Sequence, residues 1–551
     1  GTNYTLTASA SGLSSATSGT FNIVVKNPTG GTISSNTTWT VANSPYTITG
    51  SVTVASGATL TIEPGVEVKL DSGKIIEIEG TLIARGTSSD KITFTSSAAS
   101  PAAGDWGYIR FKDHSDATAS VPASFDGNGD YVSGSILEHC IVSYGGSYGS
   151  VLGKATYINA CTFTNNSGGI GASFYYPNTS TYAPVKITNS TFTGNSAGIG
   201  SASNATIEGN ILTNSGGITI RGSGTTVTNN VISGASGSAA IYGNMEEGNV
   251  LISNNQIKDN NTDGIEIGYL YSEPGVATIS GNTIVRNTGN GINAVNNGGE
   301  TNQTINITGN FIADNSKNGL YLNPGDPEIN VSYNRIHNNN ATDSSAGSAI
   351  WVNNSTPASA INIEYNTITG GTGTSLLYHS YGPIVIKNNN FTRASETYLA
   401  YLNLGVSGGT VDYENNWWGT TNITNLDALM YDWTDDATKG VIDYTPLLTT
   451  PNTTAPPAPP TNVAAQTGTT SIGLTWAANV ESDIAGYKIY YDTDQSGYPY
   501  ASSVDVGNVT SHTLSGLNTG TTYYTAVAAY DSGNDESWVS GELSASPGTD
   551  L

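Results

Sequence analysis

The chain has 551 residues, only 11 % of them charged, and 43 acidic against 18 basic residues leave a formal charge of −25. Such a field repels phosphate backbones and anionic lipid, which excludes nucleic acid and membrane surfaces as partners. No apolar run reaches the roughly 18 residues of a membrane span, so membrane insertion is excluded too. A 37 % hydrophobic content with 31 Tyr and 8 Trp is too apolar for disorder; a polar, Gly-rich chain that still folds does so with many short strands and turns.

Residues 1–30 begin with alternating Tyr4, Leu6, Ala8 and then Phe21, Ile23, Val25 around a polar turn at Gly12–Gly19, which predicts a hairpin. A lone hairpin is unstable in water, and this one resembles the last strands of a bacterial immunoglobulin-like repeat. With Gly rather than Met at position 1, the chain is expected to be a piece of a longer precursor.

Residues 31–450 predict a solenoid. The opening stretch contains Thr59–Val68 (TLTIEPGVEV), Glu79–Thr87 (EGTLIARGT) and Ile92–Ser96 (ITFTS), short alternating strands broken by Gly and Pro turns. With Trp106–Phe111 and Tyr144–Gly146, they resemble the first coils of bacterial parallel β-helix proteins of the pectate-lyase-like superfamily. Beyond them an apolar-x-x-Asn-x-apolar unit recurs at Asn210, Asn230, Asn255, Asn282, Asn310, Asn334, Asn366, Asn389 and Asn416. Ser190, Cys161 and Cys140 hold the same slot upstream, with spacings of 20–32 residues. Each unit is one coil that buries its apolar face only against the next, so the unit must repeat. Stacked carboxamides about 4.8 Å apart can each donate and accept, so these positions predict an inward asparagine ladder. A second column follows at Asn166, Asn195, Asn260, Asn287, Asn315 and Asn339.

Pro451–Pro460 reads as a stiff Pro/Thr linker. Residues 461–549 resemble a fibronectin type III domain on Trp476, the strand Gly486–Tyr491 and the tyrosine-corner pair Leu517 and Tyr523. The expected fold class is therefore all-β: a right-handed parallel β-helix plus a C-terminal fibronectin type III β-sandwich.

Catalytic motifs are sparse. HExxH, a Walker loop and CxxC are absent, no hydrolase nucleophile elbow is expected, and the five histidines are scattered. The Gly-His-Gly that polygalacturonase-like hydrolases carry with Asn-Thr-Asp and Asp-Asp is missing, so that site is not expected to assemble. One outward column is more suggestive. After the second Asn column comes Gly-Ile or an equivalent, such as Gly264-Ile265, Gly291-Ile292 and Gly319-Leu320, and the residue after that slot should point outward. On four successive coils it is Tyr321, Trp351, Tyr378 and Tyr401, with Asn323, Asn353 and Asn403 two residues on. Flat rings flanked by amides suit a polysaccharide chain or a second protein subunit. Loop carboxylates Glu246, Glu247 and Glu273, with Glu266, are the candidates for Ca²⁺, the one cofactor considered. Cys140 and Cys161, one coil apart, are the disulfide candidates. The expected function is a secreted or cell-surface structural and adhesive β-helix protein, glycan-binding or self-assembling. The alternative is an extracellular polysaccharide lyase or glycoside hydrolase acting at the aromatic and acidic face.

Overall fold

The computed structural model describes residues 5–20, 29–112, 119–146, 150–153, 156–171, 185–202, 204–221, 224–245, 248–270, 275–295, 303–323, 325, 327–339, 347–353, 360–405, 409–494 and 496–548. Two compact units divide the chain at Ile218/Thr219.

The first unit is a parallel β-helix of three sheets, preceded by a short antiparallel pair, Thr7–Ala8 with Ala16–Thr17. That hairpin turns at Ala10–Leu13, tighter than the expected Gly12–Gly19 turn, because Gly12 takes a positive φ there. The strand expected at Phe21–Val25 lies outside the described residues. In each coil a strand of sheet A is followed by one of sheet B and one of sheet C, as in Val185–Thr188, Thr191–Thr193 and Ile199–Ala202. Equivalent residues stack in register: Ile187 on Ile207, and Phe163 on Phe192 with ring centroids 4.9 Å apart and planes within 6°. The alternating sequence thus becomes a column of identical inward side chains, all fully buried.

The second unit repeats this plan. Sheet A runs from Thr225–Thr228 to Ile384–Lys387, sheet B from Val231–Ser233 to Asn390–Thr392, and sheet C from Ala239–Met245 to Met430–Tyr431. Each passage from sheet A to sheet B is a sharp corner whose outer residue is left-handed and whose next residue is the ladder residue. Asn254, Tyr333, Tyr365, Asn388 and Asn415 all have φ of 55–62° in this place, and Gly281 and Gly309 fill it without a Cβ penalty. The second corner repeats the device at Asp259, Arg286, Asp314 and Asn338.

The asparagine ladder forms. From Asn255 to Asn416 each Oδ1 accepts from the backbone N–H and the Nδ2 of the preceding rung, as Asn282 does from Asn255 at 3.0 and 2.9 Å. Each Nδ2 also donates to a carbonyl, as Asn282 does to Ile252 at 2.9 Å. In the first unit Asn210 Oδ1 accepts from the Ser190 N–H at 3.0 Å. The second column forms likewise along Asn166–Asn195 and along Asn260–Asn287–Asn315–Asn339.

The expected disulfide is not what occupies the slot upstream. Cys140 and Cys161 are adjacent but free and buried. Cys161 Sγ accepts from the Cys140 N–H at 3.4 Å and donates to Leu137 O, the two tasks an asparagine performs further along. A thiol hydrogen-bonded on both sides is a rung in its own right. Burial, then Cys161 itself, pushes the Cys140 thiol well up from its usual value, so little thiolate exists to react. Both thiols are expected to resist a disulfide-exchange reagent in the native protein and to titrate fully in guanidinium; rapid native labelling of either would contradict the assignment.

Residues 461–548 form a β-sandwich with one sheet of Ala464–Thr467, Ser471–Thr475 and Ser511–Ser515. The other comprises Ser502–Gly507, Ile484–Asp492, Tyr523–Asp531 and Leu543–Ala545. Trp476, Tyr487, Ile489 and Val527 fill its core, and the Tyr523 hydroxyl accepts from the Asn518 N–H at 3.0 Å. The Pro/Thr segment before it is no free spacer. Ala455, Pro456 and Pro457 are buried, Thr367 Oγ1 donates to Pro456 O, and Asn390 and Asn452 bond reciprocally at 2.7 and 3.0 Å. The sandwich itself rests on sheet B of the second unit. Val285, Ala313, Ala526, Ala528, Trp538 and Val539 make one buried cluster, with Phe311 packed against Trp538.

Candidate functional site

On sheet C of the second unit, side chains alternate inward and outward along the strands up to the row position. Ile265, Ile292, Leu320, Ile350, Leu377 and Ala400 point inward and are fully buried, so the next residue of each points outward. The register then lines up Tyr242, Glu266, Asn293, Tyr321, Trp351, Tyr378, Tyr401 and Tyr431 across consecutive strands. The four expected aromatics are therefore a contiguous, half-buried row. Tyr431 extends it by one rung. It escaped sequence reasoning because a loop and the short helix Ile423–Asp427 separate it from the Asn416 rung of its coil.

The rings are not equivalent. Tyr378 and Tyr401 stack at 4.9 Å with planes 7° apart, and Tyr401 and Tyr431 at 4.2 Å with planes 5° apart. Their faces cover one another, leaving mainly edges to solvent. Trp351 is turned 87° out of the Tyr321 plane and 67° out of the Tyr378 plane. Neither it nor Tyr321 is stacked face-to-face on a ring of the row, and the Trp351 Nε1 donates to Ser380 Oγ at 3.1 Å. Burial and then Tyr431 push the Tyr401 hydroxyl up to about 12; burial and then Tyr381 also raise Tyr378. Both hydroxyls are thus held protonated at neutral pH.

The flanking amides are partly committed. Asn353 Nδ2 donates to Tyr321 OH at 3.0 Å, and Asn403 Oδ1 accepts from Lys439 Nζ at 2.7 Å, while Asn323 makes no side-chain bond to another described residue. The strand Ser375–Tyr381 carries a bulge, so that Asn353 pairs with Tyr381 rather than Ser380. A one-residue insertion flips the side-chain alternation, burying Ser380 and leaving Tyr381 57 % exposed beside the row.

Among the described residues the candidate carboxylates do not gather. Glu246, Glu247 and Glu273, named for Ca²⁺, and Glu300 and Asp326 lie outside the described residues, and Glu328 is on sheet A. Among the described residues no group of three His, Cys, Asp or Glu could hold a metal. Glu266 has its carboxyl raised by burial and then by Asp263. Asp263 accepts from the N–H of Asn290 at 2.6 Å and from the Nδ2 of Asn293 at 2.8 Å. Asn261-Thr262-Asp263 reproduces one hydrolase motif that sequence reasoning passed over. The Asp435-Asp436 pair, however, follows a strand six steps along sheet C, at about 4.8 Å per step. Gly-x-Ser-x-Gly strings also occur. Those at Gly145–Gly149 and Gly405–Gly409 have their serines, Ser147 and Ser407, outside the described residues. In the one at Gly194–Gly198, Asn195 is a ladder rung and Ser196 Oγ donates to Ser167 O. Among the described residues none of these strings builds a catalytic constellation. Asp259 and Arg286 do pair bidentately at 2.8 and 3.0 Å, but Asp314 accepts from Asn338 instead of extending an ion ladder.

Family models match three stretches: a pectate-lyase-like β-helix domain over residues 31–147, a right-handed β-helix region over 158–310 and a fibronectin type III domain over 458–541. A Kelch domain-containing protein, SSO1033 of Saccharolobus solfataricus, is 42 % identical over 77 residues, 14 % of this chain and 10 % of that protein. The chain therefore spans about a tenth of that curated relative. Among solved structures, the chicken CNTN1 FN1–FN3 domains are 26 % identical at a TM-score of 0.16, over 17 % of this chain and 31 % of theirs. The spore cortex lytic enzyme SleM of Clostridium perfringens is 24 % identical at 0.14, over 17 % and 29 %. β-Helix and fibronectin type III domains fit an extracellular structural or carbohydrate-acting protein. No helix among the described residues is long and apolar enough to cross a membrane.

Proposed function

We propose that this right-handed parallel β-helix with its fibronectin type III domain works outside the cell as a rigid structural and adhesive module that holds a polysaccharide along sheet C. The observation that carries the reading is the row Tyr321–Trp351–Tyr378–Tyr401–Tyr431, with Trp351 turned out of its neighbours' planes. A ring face packs on the C–H face of a sugar, and Asn323 and the Tyr381 hydroxyl stand by as polar partners. Strand spacing of about 4.8 Å is close to one sugar repeat, and a chain of net charge −25 favours a neutral glycan over a polyuronate.

Trp351→Ala is expected to weaken retention in affinity electrophoresis about tenfold, the equivalent of 1.4 kcal/mol, with little change in melting temperature, because the ring is only half-buried. Unchanged retention across a broad glycan panel would end the glycan reading; concentration-dependent sedimentation lost in the same variant would reassign the row to contacts between subunits. The alternative, a glycoside hydrolase, rests on Glu266, the one carboxyl of the outward column and raised beside Asp263. It requires release of reducing ends that Glu266→Gln abolishes.

A further inference from the structure

The sandwich and its linker close over sheet B incompletely. Between them lies a cavity of about 580 Å³, within the range that holds small ligands. Its floor is an outward column of sheet B, His337, Thr369 and Thr392, in register on three consecutive strands. The facing wall is Pro459, Pro460, Val463 and Leu543. Nothing in the row on sheet C takes part in it.

The chemistry of the floor is specific. His337 Nδ1 lies 2.8 Å from Thr369 Oγ1, and its other ring nitrogen has no hydrogen-bond partner among the described residues. Burial holds the imidazole below the usual histidine value, against the opposite pull of Asp314. A neutral imidazole and two threonine hydroxyls can each donate or accept, which matches a ligand whose own groups do both. At the rim, Arg393 Nη1 already donates to Glu396 O at 2.6 Å. The Glu542 carboxylate accepts from the Gly497 N–H at 2.6 Å and the Tyr500 hydroxyl at 2.7 Å. Both charges are thus turned to partners of their own, and the net charge of −25 discourages an anion. The aliphatic wall suits C–H surface rather than a charged group.

We infer that the seam between the β-helix and the fibronectin type III domain is a second binding site, taking one or two rings of a neutral sugar with hydroxyls on the His337–Thr369–Thr392 floor. A two-ring ligand would span neighbouring floor residues at about 4.8 Å per strand. The site holds a short glycan segment or chain end, where sheet C would hold an extended chain. It stands or falls separately from the aromatic row.

The test titrates cellobiose, maltose, lactose and N,N′-diacetylchitobiose into full-length protein labelled with ¹⁵N-histidine. The protein has five histidines, and His337→Gln identifies the His337 signal. At least one disaccharide is expected to shift that signal saturably, and Thr369→Val to weaken its binding several-fold. Gly541 lines the cavity with nothing within 4 Å of where a Cβ would stand, so Gly541→Trp plugs it without forcing the backbone and is expected to abolish the shift. Trp351→Ala should leave the shift intact, which separates this site from the row. No shift with any of the four sugars at tens of millimolar, or a shift that survives Gly541→Trp, would overturn the proposal.

Discussion

Asn282→Leu is expected to destabilise the second unit by about 3–5 kcal/mol, at the upper end for a single substitution. The side chain is fully buried and takes part in four hydrogen bonds. Its Oδ1 accepts from the N–H and Nδ2 of Asn255 at 3.0 and 2.9 Å, and its Nδ2 donates to Ile252 O and Asn310 Oδ1, both at 2.9 Å. Leucine fills much of the volume and satisfies none of these groups. Removing one partner of a buried pair costs the full desolvation of what remains, roughly 1–3 kcal/mol per group, and a rung has partners above and below. Asn282→Ser should recover part of the loss, because Ser190 already serves as a rung: its Oγ accepts from the Cys161 N–H at 3.1 Å and donates to Thr188 O at 2.9 Å. The measurement is the urea midpoint of the three proteins. A leucine variant within about 1 kcal/mol of wild type, the central value for ordinary substitutions, would mean that the ladder adds little to stability.

Why the ladder was legible and the corner beside it was not follows from what each position demands. An inward slot between stacked coils needs a short side chain that donates and accepts, which restricts it to Asn, Ser or, in the first unit, Cys. The left-handed position just before it needs only a tolerable φ and an outward side chain. Asn254, Asn388 and Asn415, Gly281 and Gly309, Tyr333 and Tyr365, and His139 all occupy it, so no single residue type marks the column in sequence. The aromatic row was legible because a period of two assigns faces. The same rule would point Ser380 outward beside Asn353 and fails there, since a bulge changes the count without a sequence mark as plain as glycine. Ring orientation was not legible at all. The same alternation is compatible with rings stacked on each other, as Tyr378 and Tyr401 are, or turned away, as Trp351 is.

Least legible was the docking of the C-terminal domain, and its disruption is the second large effect. Phe311, Arg335 and Trp538 each read as ordinary in their own segments, some 200 residues apart, and only the folded chain brings them together. Phe311 and Trp538 meet at 5.6 Å, and the Arg335 guanidinium lies 4.9 Å from the Phe311 ring centroid. Arg335 also donates to Glu536 O at 2.7 Å and pairs with Asp535 at 2.8 Å. Trp538 is 5 % exposed and belongs to the cluster shared with Val285 and Ala313, apart from the Trp476 core of the sandwich. Truncating it therefore strikes the seam and spares the domain. Trp538→Ala is expected to remove about 3–5 kcal/mol of packing and Arg335→Ala a further 1–3 kcal/mol through the Glu536 carbonyl left unpaired; because the two share a cluster, their effects should not simply add. With the seam loosened, the segment Pro451–Pro460 is released as well, since its ties to Thr367 and Asn390 alone must then hold it. Limited thermolysin digestion should leave wild type intact in this segment and cut the double variant between the β-helix and a fibronectin type III domain that still melts cooperatively. Equal resistance of both proteins would show that the linker contacts suffice. Loss of cooperative melting in the released domain would place Trp538 in its own core rather than in the seam.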